Sequence, residues 1–121
     1  MDTSALMMPI ECDVRVFDEL DRLLGDIAFV TPATVIAELD RLSAGAGEEA
    51  TAASVGRDLA ERCDVVETDE SHADDALVEL AGRGECEYVV TNDGPLRDRL
   101  LERGVRVIGL RGRNTLNITQ P

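Results

Sequence analysis

Glu87-Tyr88-Val89-Val90-Thr91-Asn92-Asp93-Gly94-Pro95-Leu96 is the stretch that decides the architecture. Tyr88, Val89, Val90 and Thr91 favour pleated backbone, so the first half predicts a short strand. Gly94 lets the chain turn sharply. Pro95 suits a first helical position, where its missing N–H would have no partner anyway. Asp93 falls at the junction. It is a preferred helix N-cap, and it also ends a strand on the side where open α/β sheets place their ligand crevice. On this stretch alone a capping role and a chemical role both remain open.

Working outward, the pattern repeats. Downstream, a helix over 95–103 ends before Gly104, a suitable residue for closing it, and Val105 to Leu110 predicts the next strand. Arg111-Gly112-Arg113-Asn114 is a polar, basic tail. Upstream, Ser71 can cap a helix over 72–82, with Asp74 as a capping-box-like acid. On that helix Leu77, Val78 and Ala81 mark the buried face. Asp74 precedes them by three, four and seven residues, which predicts an inward position, with Asp75 just off the face. Val65-Val66 lies in a strand over 64–68, and an Ala-rich helix covers 48–62 after a flexible connector from Ser43 to Gly47. Thr31-Pro32 suits the N-cap and first position of a helix whose stripe is Val35, Ile36, Leu39 and Leu42. Glu38 lies beside that stripe, half turned inward, and an inward carboxylate needs a partner or a metal. Ile27 to Val30 is the kind of apolar run a buried parallel strand gives. Val14, Phe17, Leu20, Leu23 and Leu24 predict a first amphipathic helix over 14–24. Strands alternating with helices imply a parallel sheet covered on both faces, a single three-layer α/β/α domain over residues 1–121.

The chain has 121 residues, a net charge of −13 and no lysine; all twelve basic residues are Arg. An acidic, lysine-free surface stays hydrated in a salt-rich cytoplasm such as a halophile's, and it bears on solubility rather than fold. The charge is uneven: residues 1–94 hold 23 acids and 6 Arg, whereas residues 95–121 hold 2 acids and 6 Arg. That basic end could contact phosphate, although Arg on helix surfaces is common. There is no apolar run of about 18 residues and no signal-peptide pattern, which predicts a cytoplasmic protein with no membrane contact. Cys12, Cys63 and Cys86 lack zinc-site or disulfide spacing and are expected as small buried apolar residues. His72 has no second His at ligand spacing and is expected at the surface.

Four acidic positions remain as candidates for chemistry: Asp2, Glu38, Asp74 with its neighbour Asp75, and Asp93. Clustered carboxylates need a counter-charge. With no lysine and a lone His, an all-oxygen site suits Mg²⁺ or Mn²⁺. Such ions activate water and hold phosphate oxygens. Other phosphate chemistries lack their parts: there is no G-K-[ST] loop and no G-x-G-x-x-G. Response-regulator receivers and haloacid-dehalogenase-like phosphatases share the architecture but use a lysine. The second group also wants Asp-x-Asp where this chain has Asp2-Thr3-Ser4.

The chain resembles the PIN-domain ribonucleases. The matching pieces are Asp2-Thr3-Ser4-Ala5-Leu6, Val35-Ile36-Ala37-Glu38-Leu39, Ala73-Asp74-Asp75-Ala76-Leu77-Val78 and Val89-Val90-Thr91-Asn92-Asp93-Gly94-Pro95-Leu96. The third and fourth pieces are most similar to the small rRNA-processing branch of the family, and the likeness extends to Asn114-Thr115-Leu116-Asn117-Ile118. The resemblance implies a PIN-like sheet of order 3-2-1-4-5 and an endoribonuclease that cuts single-stranded RNA with Mg²⁺ or Mn²⁺. It implies Asp2, Glu38, Asp74 and Asp93 as catalytic metal ligands, with Asp75 a rival for the third position. Ser4 and Thr91 would orient the carboxylates or the attacking water. Arg97, Arg99, Arg111 and Arg113 are the candidate RNA contacts. With only Phe17, Phe29 and Tyr88 as aromatics, base stacking adds little recognition.

Two departures qualify the resemblance. The family has an apolar strand before its first Asp, and here only Met1 precedes Asp2; the first strand is therefore expected to be truncated, with the natural start a few codons upstream. The zinc ribbon of some rRNA-processing relatives is absent. The function readings are RNA maturation, the toxin ribonuclease of a toxin–antitoxin pair, and a non-catalytic RNA- or protein-binding factor on the same fold. The partners that go with them are RNA, a second copy in a homodimer, and an antitoxin or a ribosome-assembly factor.

Overall fold

A computed structural model describes residues 1–121. Six helices and five short strands alternate along it: α1 (Thr3–Glu11), α2 (Val16–Leu24), β1 (Val30–Pro32), α3 (Ala33–Ser43), α4 (Gly47–Leu59), β2 (Asp64–Val66), α5 (Ala73–Gly82), β3 (Tyr88–Val90), α6 (Gly94–Glu102), β4 (Arg106–Arg111) and β5 (Thr115–Thr119). A 3₁₀ turn over Ala60–Arg62 joins α4 to β2. The arrangement is the three-layer α/β/α of a PIN-like domain. Helices α1, α3 and α4 pack on one another, while α5 and α6 meet each other and lie against β1, β3 and β4.

The sheet is parallel at its centre and falls into two parts. β1 pairs with β2, and β3 pairs with β4, all parallel. Between β1 and β3 stand only Met1 and Asp2. The Met1 ammonium, buried, donates to the Val30 carbonyl at 2.8 Å as a strand amide would, and the Thr31 hydroxyl donates to the Met1 carbonyl at 2.8 Å. On the other side the Asp2 amide donates to the Val90 carbonyl at 3.2 Å. Two residues thus occupy the central position, which gives the spatial order β2, β1, Met1–Asp2, β3, β4. This matches the expected 3-2-1-4-5 order, with Met1 and Asp2 in the place of its strand 1. Next to Met1, the same seam is an apolar cavity of about 340 Å³ lined by residues such as Phe29, Val30, Leu77 and Tyr88.

Five details differ from the sequence expectations. Of the buried strand expected over Ile27 to Val30 only Val30 belongs to β1, and Ile27 and Ala28 are exposed. Thr3–Glu11 is a helix, where none was expected: Ala5, Leu6, Met7 and Met8 are all buried, so no polar face marks its period, and Pro9 lies inside it. Thr115–Thr119 is an antiparallel strand on β4, closed by the turn at Gly112 (φ +76°), rather than the end of a polar tail. Thr31 does not cap α3. Its hydroxyl is taken by Met1, and β1 runs on to Pro32. Nor does Ser71 cap α5: the N-cap is His72, without a side-chain bond. Cys63 is buried as expected, while Cys12 and Cys86 are half-buried, and all three are free thiols.

The closest helix contact depends on a glycine. A Cβ on Gly56 of α4 would meet the Leu6 carbonyl oxygen of α1 at 2.8 Å. That neighbour is backbone and cannot swing aside. Gly56→Ala gains about 1 kcal/mol of helix propensity, but overpacking costs about 1–3 kcal/mol. The expected outcome in urea unfolding is a net loss, with the midpoint lowered and the slope unchanged.

Candidate functional site

Asp2 is 3% exposed, and its carboxylate is held on every side. Oδ1 accepts from the Ala5 amide at 2.8 Å, which caps α1. The Ser4 hydroxyl lies 2.9 Å from both oxygens, and the Thr91 hydroxyl donates to Oδ2. Burial pushes the Asp2 carboxyl up to about 6; the bonds from Thr91, Ala5 and Ser4 oppose the shift without cancelling it. Ser4 and Thr91, the two expected supporting residues, therefore both bear on Asp2.

Thr91 also links Asp2 to the turn that follows β3. Its Oγ1 accepts from the Asp93 amide at 3.0 Å, and the Ser4 Oγ accepts from the Asn92 amide at 2.9 Å. Asp93 caps α6 through Oδ1, which accepts from the Leu96 amide at 3.0 Å. The capping role read from the sequence is present, and it leaves Oδ2 of Asp93 without a protein donor.

Glu38 reaches this region from α3 and Asp74 from the first turn of α5. The Asp74 carboxyl is held above the usual Asp range, first by partial burial, then by the charges of Asp93 and Glu38. Those three acids therefore bear on one another, as Arg99 and Asp75 bear on Asp74, whereas Asp2 is linked to the Asp93 turn through Thr91. Asp74 opens to solvent rather than facing the core as the helical period predicted. Asp75 is engaged by Arg99 of α6 at 2.9 Å, a pair that turns it away from Glu38 and toward α6. Glu38 is half-buried as expected, its side chain 33% exposed, with Arg41 at 3.5 Å.

The donor set fits a hard divalent cation. It is all oxygen, it is negative, and its raised proton affinity at Asp74 is also an affinity for positive charge. The carboxylates are neighbours without converging: no three His, Cys, Asp or Glu side chains stand at metal-ligand distance. Unneutralised carboxylates repel, which opposes closer approach.

Of the four arginines expected to meet RNA, Arg97 and Arg111 line a polar groove together with Asp93. Arg99 is occupied by Asp75, and Arg113 is exposed in the turn between β4 and β5. Asn92 and Asn117, which line the same groove, were not singled out from the sequence. The alternation Thr115-Leu116-Asn117-Ile118-Thr119 was the available signal, since a strand there sends Asn117 and Thr119 to one face. No helix is long and apolar enough to cross a membrane.

Comparison with known proteins agrees with this geometry. No curated protein matches the chain. Among solved structures, the PIN domain endonuclease Utp24 is similar with a TM-score of 0.78 and 22% identity, over 99% of this chain and 89% of that one. At that identity the likeness shows the fold. The sequence profile described as a PIN-like domain matches residues 1–113, nearly the whole chain, and the protein belongs to that family.

Proposed function

We propose that this protein is a metal-dependent endoribonuclease that cuts single-stranded RNA and acts in RNA maturation, with rRNA the substrate class its sequence motifs favour. The observation that carries the reading is the gathering of carboxylates from three elements, Glu38 from the middle of α3, Asp74 from the first turn of α5 and Asp93 from the N-cap of α6, near enough for Asp93 and Glu38 to raise Asp74. Membership of the PIN-like family supports it.

In this reading Glu38, Asp74 and Asp93 hold Mg²⁺ or Mn²⁺, and Asp2 contributes from behind. When bound, the cation polarises the scissile phosphodiester and activates water. The protein's own part is placement. Thr91 and Ser4 fix the Asp2 carboxylate, and Thr91 sets the Asp93 backbone. Arg99 pairs with Asp75 and partly offsets the charge around Asp74.

Cleavage of a labelled single-stranded RNA in concentrated KCl tests this, with Mn²⁺, with EDTA and with the Asp93→Asn variant in Mn²⁺. Cutting confined to the Mn²⁺ arm with wild type is the expected result. RNA that is bound but left intact in all three arms would make the protein a binding factor on this fold.

A further inference from the structure

The groove beside Asp93 differs in chemistry from the rest of the molecule. It has a volume of about 120 Å³ and runs between the start of α6 and the β4–β5 hairpin. In a chain with 25 acids and 12 Arg, its lining holds two Arg and one acid, Asp93 itself. Building on the nuclease reading, the geometry points to this groove as the seat of a second RNA phosphate, next to the one that is cut.

Apart from the Asp93 carboxylate at its edge, the groove offers side chains that can donate. Arg111 has no acidic partner. Arg97 touches only the adjacent Asp98, at 3.2 Å, in a pair whose side chains are 49% and 64% exposed. Exposed pairs of that kind are worth little, so Arg97 can turn to a phosphate at small cost. The Asn117 Oδ1 already accepts from the Ile118 amide at 2.9 Å, which leaves the two Nδ2 hydrogens facing outward. Strand alternation puts Thr119 on the same face as Asn117. Two guanidinium groups, an amide NH₂ and a hydroxyl match the acceptor-only oxygens of a phosphodiester.

Shape agrees with charge. Gly109 lies under the groove, and a Cβ there would meet the Thr91 carbonyl oxygen at 3.0 Å, so β4 approaches the end of β3 with bare backbone. The groove has room for a phosphate group. The groove also separates the arginines: Arg97 and Arg111 contact RNA, while Arg99 holds Asp75 and Arg113 stays outside.

Equilibrium binding of a single-stranded RNA, measured in Ca²⁺ over a range of KCl concentrations, tests the assignment. Arg97→Ala and Arg111→Ala are expected together to reduce the slope of log K against log salt by about 0.7, the value for the one phosphate they share on a single strand, and each alone by part of it. Asn117→Asp keeps the oxygen that bonds Ile118 and adds a charge; binding about tenfold weaker is expected. Arg113→Ala should leave the slope unchanged. Wild-type cleavage in Mn²⁺ is followed alongside. If wild type binds and cuts RNA while the three groove variants keep its slope and KM, the groove assignment falls and the nuclease reading stands. If wild type neither binds nor cuts, both fall.

Discussion

Asp93→Asn is expected to lose metal-dependent RNA cleavage by about 10²-fold or more while keeping the stability of the fold. The two halves of that result come from different oxygens. Oδ1 of Asp93 caps α6 through the Leu96 amide, and Asn is as good an N-cap as Asp. The substitution therefore preserves the helix start and removes only the charge. Losing residues that merely orient metal ligands commonly costs 10–100-fold, so losing a ligand's charge should cost at least the upper end of that range. Asp93→Ala would confound the reading, because it also removes the cap, worth about 1 kcal/mol. A second readout needs no substrate. Asp93 is the first of the charges that raise Asp74, so in Asp93→Asn the Asp74 carboxyl should titrate lower by NMR. An Asp74 titration that does not move would mean that the two acids are not neighbours in solution.

The second large effect is on stability. Asp2→Asn is expected to stabilise the metal-free protein at pH 7 by about 1–3 kcal/mol. A rise of the Asp2 carboxyl from 3.8 to about 6 corresponds to about 3 kcal/mol. Below pH 3.8 the group is protonated in both the folded and the unfolded chain. Between 3.8 and about 6 only the folded chain retains the proton, so the Asp2 contribution falls as pH rises. Above 6 the full cost of burying the charge is present. An amide carries no such cost. Its oxygen can still accept from Ala5, and its NH₂ can donate to the Thr91 hydroxyl, which can then turn its proton to Ser4, 3.3 Å away. Thermal unfolding of wild type and Asp2→Asn from pH 4 to 7, with EDTA present, should show a gap that opens with pH. An Asp2→Asn protein less stable than wild type at pH 7 would refute the argument.

These two carboxylates also show what could be read from the chain alone. Asp93 was legible because everything that shapes it is local: the strand before it, Gly94 and Pro95 after it. The parallel β3–β4 core and the helix between them were legible for the same reason. The choice between Asp74 and Asp75 was not local. Helical period made Asp74 the inward residue, yet it opens to solvent, and what distinguishes the pair is Arg99, 24 residues away, which takes Asp75. Thr31 was misread because its hydroxyl answers to Met1 rather than to its own helix. α1 was missed because its middle, Ala5 to Met8, is an unbroken apolar run and Pro9 lies inside it. β5 was overlooked beside a basic turn, although its alternation was in plain view.

The seam between the two parts of the sheet gives a bound cation a further task. Glu38 rides on the helix launched from β1, and Asp93 caps the helix that follows β3, so the two acids belong to opposite sides of a junction bridged in the sheet only by Met1 and Asp2. In the nuclease reading proposed above, a cation held by both would act as a fastener across that junction. Its binding free energy then adds to the stability of the fold as RT ln(1 + [M]/Kd). Starving the protein of divalent ions would loosen this clasp first, before either pair of strands comes apart.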